Sequence, residues 1–213
     1  MNQSGEITKE EINKIELVFD KTLELISLYK FNNFAIPFGL KGNLGEFIVQ
    51  IELLKRFPKN KIAFRGGSFP SVDIVLEEVK IQVKTQIKHE RRIFRNGYFD
   101  FEGSPTIKKS ILDEKKCDIL ILVILYPNES FSRIEQTKFY VFDQNDFQFF
   151  NTKLCWSGKS KGDYTIVRVL NVEGNPPEKL RESIAHYNTQ IYETLFETSE
   201  DNWSKVKPKL WQI

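Results

Sequence analysis

The sequence predicts an α/β fold with a mixed central sheet flanked by helices, and three observations predict it. Apolar residues recur at helical spacing in two segments near the N-terminus. A run of short, alternating segments punctuated by turn residues follows between residues 61 and 101. The stretch Ile119 to Tyr126 is then almost wholly apolar, as in a strand covered on both faces.

In chain order, Thr8 and Glu11 form a capping box ahead of Ile12, Ile15, Phe19, Leu23 and Ile26, which predicts a helix ending near Lys30. Pro37, Gly39 and Gly42 mark Phe31 to Lys41 as a loop. A second helix is expected from Asn43, with Glu46 in its first turn, to just before Pro58. Leu44, Phe47, Ile48, Ile51 and Leu54 give it a wide apolar face. Lys61 to Arg65, Val72 to Leu76 and Lys80 to Gln86 read as strands, the last two joined by a turn at Glu77-Glu78. Asn96-Gly97 is a type I′ signal and predicts a hairpin between Ile93 and Phe101. Thr106 to Lys116 reads as a basic helix, Asp118 to Leu125 as a buried strand, and Phe139 to Phe142 and Thr165 to Leu170 as further strands. Pro177 opens a helix through His186, and a last helix runs from Thr189 towards Glu197. No internal repeat, linker or low-complexity segment is visible.

Composition narrows the function classes. The chain has 213 residues, 18 of them Phe, and a net charge of +2, so a real core is available and disorder is not expected. So small a charge excludes a general coat for nucleic acid, and any such contact must come from local clusters. No basic segment followed by an apolar one opens the chain, so no secretory signal is expected, and the longest apolar run is far too short to span a bilayer. Cys117 and Cys155 stand alone, which argues against a disulfide framework or a thiolate zinc site and for a reducing cytoplasm. His89 and His186 have no recognisable triad partners, and Gly66-Gly67 has no phosphate-loop lysine after it.

One constellation carries chemistry. Asp73 interrupts the apolar run Val72 to Leu76, where a carboxylate is costly unless paired or bound to a metal. In Gln82-Val83-Lys84, positions two apart share a strand face, so Gln82 and Lys84 project together while Val83 points to the core. Pairing across Glu77-Glu78 would set Asp73 opposite Gln82. A carboxylate, an amide oxygen and an ammonium would then converge, a set suited to a hard cation and a phosphate.

Pro70-Ser71-Val72-Asp73 and Gln82-Val83-Lys84, preceded by Gly45-Glu46 and followed by Cys117 to Val123, resemble the PD-(D/E)xK nuclease superfamily over residues 43 to 143. The first half-motif is stretched by Ser71 and Val72, and Gln82 stands where an acid is commoner, a Q-x-K variant also found in Mrr-like nucleases. The resemblance implies a restriction-endonuclease-like core at 43–143, with an N-terminal helix and loop at 1–42 and an extension at 144–213 packed on the same domain. It further implies a Mg²⁺-dependent DNA endonuclease, with Mn²⁺ as a substitute. Asp73, Gln82 and the Val83 carbonyl would hold the metal. Glu46 would bind a second ion or orient the surroundings of the first, and Lys84 would position the attacking water.

Lys88, Arg91, Arg92 and Arg95, interleaved with Phe94, Tyr98 and Phe99, are the candidate contacts to DNA phosphates. Lys108-Lys109 and Lys159-x-Lys161 beside Trp156 suit ordinary solvated charge better. Among nucleases, a type II restriction-type homodimer cutting duplex DNA at a short sequence is the expected member. A homing or Holliday-junction-resolving nuclease and a catalytically silent DNA-binding module of the same fold are the alternatives. Each site residue also has a plainer reading. Asp73 could be a strand-edge turn residue, Lys84 part of a solvated face, Glu46 a helix-capping partner of Asn43, and the arginines a charged hairpin.

Overall fold

The structure is a computed structural model that describes residues 9–32, 38–57, 62–64, 72–87, 91–93, 99–102, 106–130, 132–150, 164–166, 170–174, 185 and 189–208. Two long helices come first, α1 (Lys9–Phe31) and α2 (Phe38–Arg56). A five-stranded sheet follows, in the order β1 (Ile62–Phe64), β2 (Ile74–Leu76), β3 (Val79–Ile87), β7 (Ile119–Pro127) and β8 (Ile134–Asp143). All its pairings are antiparallel except β3 with β7, so the sheet is mixed, as expected from the sequence.

The parallel step needs a crossover, and β4 (Arg91–Ile93), β5 (Phe99–Glu102), β6 (Thr106–Lys108) and α3 (Lys109–Asp113) lie within it. The β4–β5 pair joins β10 (Leu170–Gly174) in a second sheet, and β6 pairs with β9 (Tyr164–Ile166). Helix α4 (Gln190–Ser199) comes near the C-terminal end.

Strand periodicity explains how the sheet is covered. On β7, Ile119, Ile121, Val123 and Leu125 face α1 and α2, packing with Leu23, Ile26, Leu44, Val49 and Leu53. The alternate residues Leu120, Leu122 and Ile124 face the other way, against Ile111 and Leu112 of α3 and Tyr192, Leu195 and Phe196 of α4. Both faces of the strand are therefore buried, which is why its sequence is almost continuously apolar. At roughly 1.5–3 kcal/mol for each large apolar side chain, this one strand is a main source of stability.

Four expectations need correcting. Helix α2 begins at Phe38, not Asn43, because Gly39 and Gly42 are helical here and not loop residues. A helical glycine costs only about 1 kcal/mol against alanine, and tertiary packing offsets it. Glu46 therefore lies in the helix interior and not in the first turn, which removes the reading of it as a capping partner of Asn43. Thr106–Lys108 is strand, and the helix after it has only five residues. Ile107 is fully buried on that strand, so tertiary burial outweighs the local helical pattern. Thr165 to Leu170 falls on two strands, β9 and β10, instead of one.

Other boundaries moved outwards where pairing continued. β8 starts at Ile134 because its antiparallel ladder to β7 runs from Pro127 back to Ile119. Arg91–Ile93 does pair with Asp100–Glu102, in a register centred on Asn96-Gly97, although that turn itself lies outside the described residues. The capping residue Thr8 and nearly all of the expected helix from Pro177 to His186 also lie outside them. Among the described residues, no helix is long and apolar enough to cross a membrane.

Candidate active site

The site starts from a tight hairpin. Glu77 has a φ of 54° and turns the chain between β2 and β3, which pair in the register Ile74↔Ile81, Val75↔Lys80, Leu76↔Val79. Beyond Ile74 the backbone ladder ends, and side chains take over. The Asp73 N–H still donates to the Ile81 carbonyl at 2.9 Å. Its carboxylate accepts the Val83 N–H at 2.7 Å and the Gln82 side-chain N–H as well. The Gln82 amide nitrogen also lies 3.3 Å from the Val83 carbonyl oxygen. Asp73 is thus opposite Gln82, as the hairpin reading requires.

Alternation sets the directions of the β3 side chains. Ile81, Val83 and Ile87 pack in the core shared with α1 and α2. Gln82 and Lys84 project to the opposite face, in register with Leu120 and Leu122 of β7. Gln82 is only 3% exposed, and among the described residues its Oε1 has no hydrogen-bond partner. A buried amide oxygen left without a donor is costly. The Nε2 side of the amide faces Asp73 and the Val83 carbonyl, so Oε1 would join them on one cation only with the amide turned over. Lys84 is half-buried, so it does not lie on a freely solvated face.

Helix α2 brings Glu46 to this point through a close approach. A Cβ on Gly45 would lie 1.8 Å from Thr85 Oγ1 on β3, so only glycine fits there. The Thr85 hydroxyl in turn donates to the Gly42 carbonyl at 3.4 Å. Gly45 is thus the glycine that lets the helix backbone settle onto the strand, whereas a Cβ at Gly39 would meet nothing within 4 Å and one at Gly42 only Glu46 Oε1 at 3.9 Å. The next residue, Glu46, is within electrostatic reach of both Asp73 and Lys84.

Burial dominates the electrostatics. It pushes the Glu46 carboxyl up to about 7; the Asp73 charge adds to that rise and Lys84 opposes it. Burial also raises the Asp73 pKa, against the Val83 N–H bond and the Lys84 charge. Lys84 is pulled down by burial and held up by Asp73 and Glu46. Two acids and one amine therefore share a poorly hydrated space in which each makes the others' ionisation matter. Cys117, also within their field, is buried and pushed up to about 12, so its thiol stays protonated and unreactive.

Of the expected site residues, the structure brings together Glu46, Asp73, Gln82, Val83 and Lys84. Arg91 and Arg92 lie on β4, with their side chains undescribed, and Lys88 and Arg95 fall outside the described residues. No group of three or more His, Cys, Asp or Glu residues poised to hold a metal occurs among the described residues. A cation here would have two carboxylates at most, completed by the neutral oxygens of Gln82 and Val83. Gly45 was noted in the sequence only as the neighbour of Glu46, its close approach to β3 was not foreseen, and Thr85 was not singled out.

The fold and these side chains define an α/β protein with a buried acid–amide–amine cluster where two strands part. No family model matches the sequence, and no curated protein matches it. Among solved structures, the chain is similar to a bacterial homing endonuclease, I-Ssp6803I, at 19% identity and a TM-score of 0.33. The match covers 78% of this chain and all of that one.

Proposed function

We propose that this protein is a metal-dependent DNA endonuclease with its active centre at Glu46, Asp73, Gln82 and Lys84. One observation carries the reading: two carboxylates, an unsatisfied amide oxygen and an amine are desolvated together beside parting strands. A hydrophobic contact in their place would cost less, so their retention fits a ligand that supplies positive charge and accepts oxygen donors. Hard oxygen donors of this kind suit Mg²⁺, or Mn²⁺ in its place. Asp73, Gln82 and the Val83 carbonyl would hold the ion, and Glu46 would either hold a second ion or orient the first ion's surroundings.

A bound divalent cation supplies polarisation of the scissile phosphate and offsets its developing charge. The chain's own groups do the rest. The Val83 N–H fixes one Asp73 carboxylate oxygen, leaving the other to face the ligand. The amine of Lys84, whose pKa burial lowers and its two acidic neighbours support, is placed to orient the attacking water and to balance charge on the phosphate. Glu46, with its pKa near neutrality, is suited to accept a proton from that water. By resemblance to the PD-(D/E)xK superfamily, the products carry 5′-phosphate and 3′-hydroxyl ends.

Within nucleases, we favour a restriction-type homodimer that reads a short duplex sequence. Residues 144–213 add Asn145, Gln148, Asn151, Trp156, Asn188 and Gln190, whose amide and aromatic groups suit base edges. Lys88, Arg91, Arg92 and Arg95 then supply phosphate contacts. The test is incubation of the full chain with Mg²⁺ and either mixed-sequence linear duplex or a four-way junction, with chelator controls. Discrete metal-dependent duplex fragments are expected. Junction cleavage alone would return the junction-resolving reading, and no metal-dependent cleavage of either substrate would overturn the nuclease assignment.

A further inference from the structure

Four of the five exposed large hydrophobic side chains among the described residues lie on one helix: Leu17, Val18, Leu25 and Leu28 of α1, which are 58%, 47%, 40% and 54% exposed. At 100° per residue they fall within a single arc of the helix, opposite Leu23 and Ile26, which are in the core. Scattered exposed leucines need no explanation, but a stripe of them on the side of a helix turned away from the core marks a contact surface.

The order of residues along the stripe names the occupant. Leu17, Lys21, Glu24 and Leu28 follow one another at spacings of four, three and four, the spacing of a coiled-coil seam, with leucine at its two ends and a charged pair in its middle. Read backwards, the pattern is apolar, acidic, basic, apolar. A second α1 laid antiparallel, with the two-fold axis between Thr22 and Leu23, therefore sets Leu17 against Leu28 and Lys21 against Glu24 at both ends. Such self-complementarity is what an isologous contact requires. A parallel arrangement would instead set Lys21 against Lys21. Lys21 and Glu24 already pair within the helix at 2.7 Å, both largely exposed, so docking would join them into a four-charge network without a new unpaired group. Val18 and Leu25, each one residue on from a seam position, widen the apolar stripe to one side.

We propose that α1 is the face on which a second copy of this chain docks, antiparallel and about a two-fold axis. The inference gives a location to the homodimer proposed above and is independent of the nuclease chemistry, because its test needs neither DNA nor metal. The seam is short against standard protein interfaces, so the dimer is expected to be weak and concentration-dependent, on the order of micromolar.

Sedimentation velocity of the full chain, under reducing conditions from about 1 to 200 μM, reads it directly. A monomer–dimer equilibrium is expected for the unmodified protein. Leu17→Glu with Leu28→Glu, both at exposed positions and checked for folding by circular dichroism, should abolish it. Lys21→Glu alone should weaken the dimer by roughly tenfold, through two like-charge contacts. Adding Glu24→Lys to it should restore wild-type affinity, since the swapped charges again face their opposites. A strict monomer throughout would overturn the proposal, as would a dimer indifferent to the leucine changes. Failure of the charge swap to rescue Lys21→Glu would overturn the antiparallel register.

Discussion

The carboxylate of Asp73 takes the Val83 N–H at 2.7 Å, where the backbone of β2 would otherwise continue its ladder with β3. This aspartate is therefore both a proposed ligand and the stopper that ends a strand pair. Its two roles separate under mutation. Asp73→Ala leaves the Val83 N–H without its acceptor and the Gln82 amide with only the Val83 carbonyl, at about 1–3 kcal/mol for a buried unpaired donor. Asp73→Asn keeps an acceptor oxygen and should lose little stability, while losing the charge that holds a cation. We expect thermal melts to show Asn close to wild type and Ala well below it, with both inactive in DNA cleavage. Lys84→Ala should be inactive and should raise the Asp73 and Glu46 pKa values further, because it removes the charge that opposes their rise. Cleavage at near wild-type rate by Asp73→Asn would remove Asp73 from the active site.

Gln82 gives a second separation. Its side-chain N–H donates to Asp73, and its Oε1 is buried without a partner among the described residues. Gln82→Glu removes that donor and sets a second carboxylate against Asp73, so without metal the variant should melt below wild type at pH 7.5. Adding Mg²⁺ should close the gap or reverse it, since an added carboxylate strengthens a hard-cation site. The measurement is Tm across a Mg²⁺ titration for both proteins. Equal destabilisation at every Mg²⁺ concentration would mean that no cation sits at Gln82.

Glu46 fixes a pH dependence whose sign is determined. Its carboxyl is raised from 4.5 to about 7 on folding, first by burial and then by the Asp73 charge. The folded state thus binds more protons than the unfolded one between those values. The metal-free protein should lose stability as pH rises from about 4.5 through 7, and Glu46→Gln should flatten that decline. A divalent cation bound beside Glu46, as proposed, would then displace the proton. Calorimetry in buffers of differing ionisation enthalpy should report proton release at pH 6 that fades by pH 8. Release unchanged in Glu46→Gln would place the titrating group elsewhere.

How much of this was legible in the sequence depends on which force decides each element. Alternation and an all-apolar run describe strands in a covered sheet, and β3 and β7 were read nearly to the residue. The hairpin at Glu77-Glu78 followed from chain length alone, and with it the meeting of Asp73, Gln82 and Lys84. Local signals failed where tertiary packing overrules them. Gly39 and Gly42 read as breakers because their isolated propensity is poor, yet the helix runs through them. Thr106–Lys108 looked helical because a basic stretch beside short apolar residues has no strand period to betray it. Pairing with β9, sixty residues away, makes it strand. The burial that perturbs Glu46, Asp73 and Lys84 is a property of assembled layers and has no counterpart in any single segment.

The same lesson yields the last prediction, at a residue with no chemistry of its own. A methyl group at position 45 would lie 1.8 Å from Thr85 Oγ1, 2.8 Å from its Cβ and 2.9 Å from its Cγ2. All three atoms belong to a branched side chain on a central strand, so none can swing clear. Gly45→Ala raises helix propensity by about 1 kcal/mol, and on an exposed helix it would stabilise. Here overpacking works against that gain, at roughly 1–3 kcal/mol, and the helix must lift from β3. Glu46 is the next residue, so lifting the helix also withdraws its carboxylate from Asp73 and Lys84. We expect Gly45→Ala to lower Tm and to return the Glu46 pKa towards its ordinary value, weakening the proton release on metal binding. Thr85→Ala removes the two nearest branching atoms and should recover part of both losses in the double variant, a coupling that independent sites would not show. If Gly45→Ala melts at or above wild type, the helix does not rest on Thr85 as described.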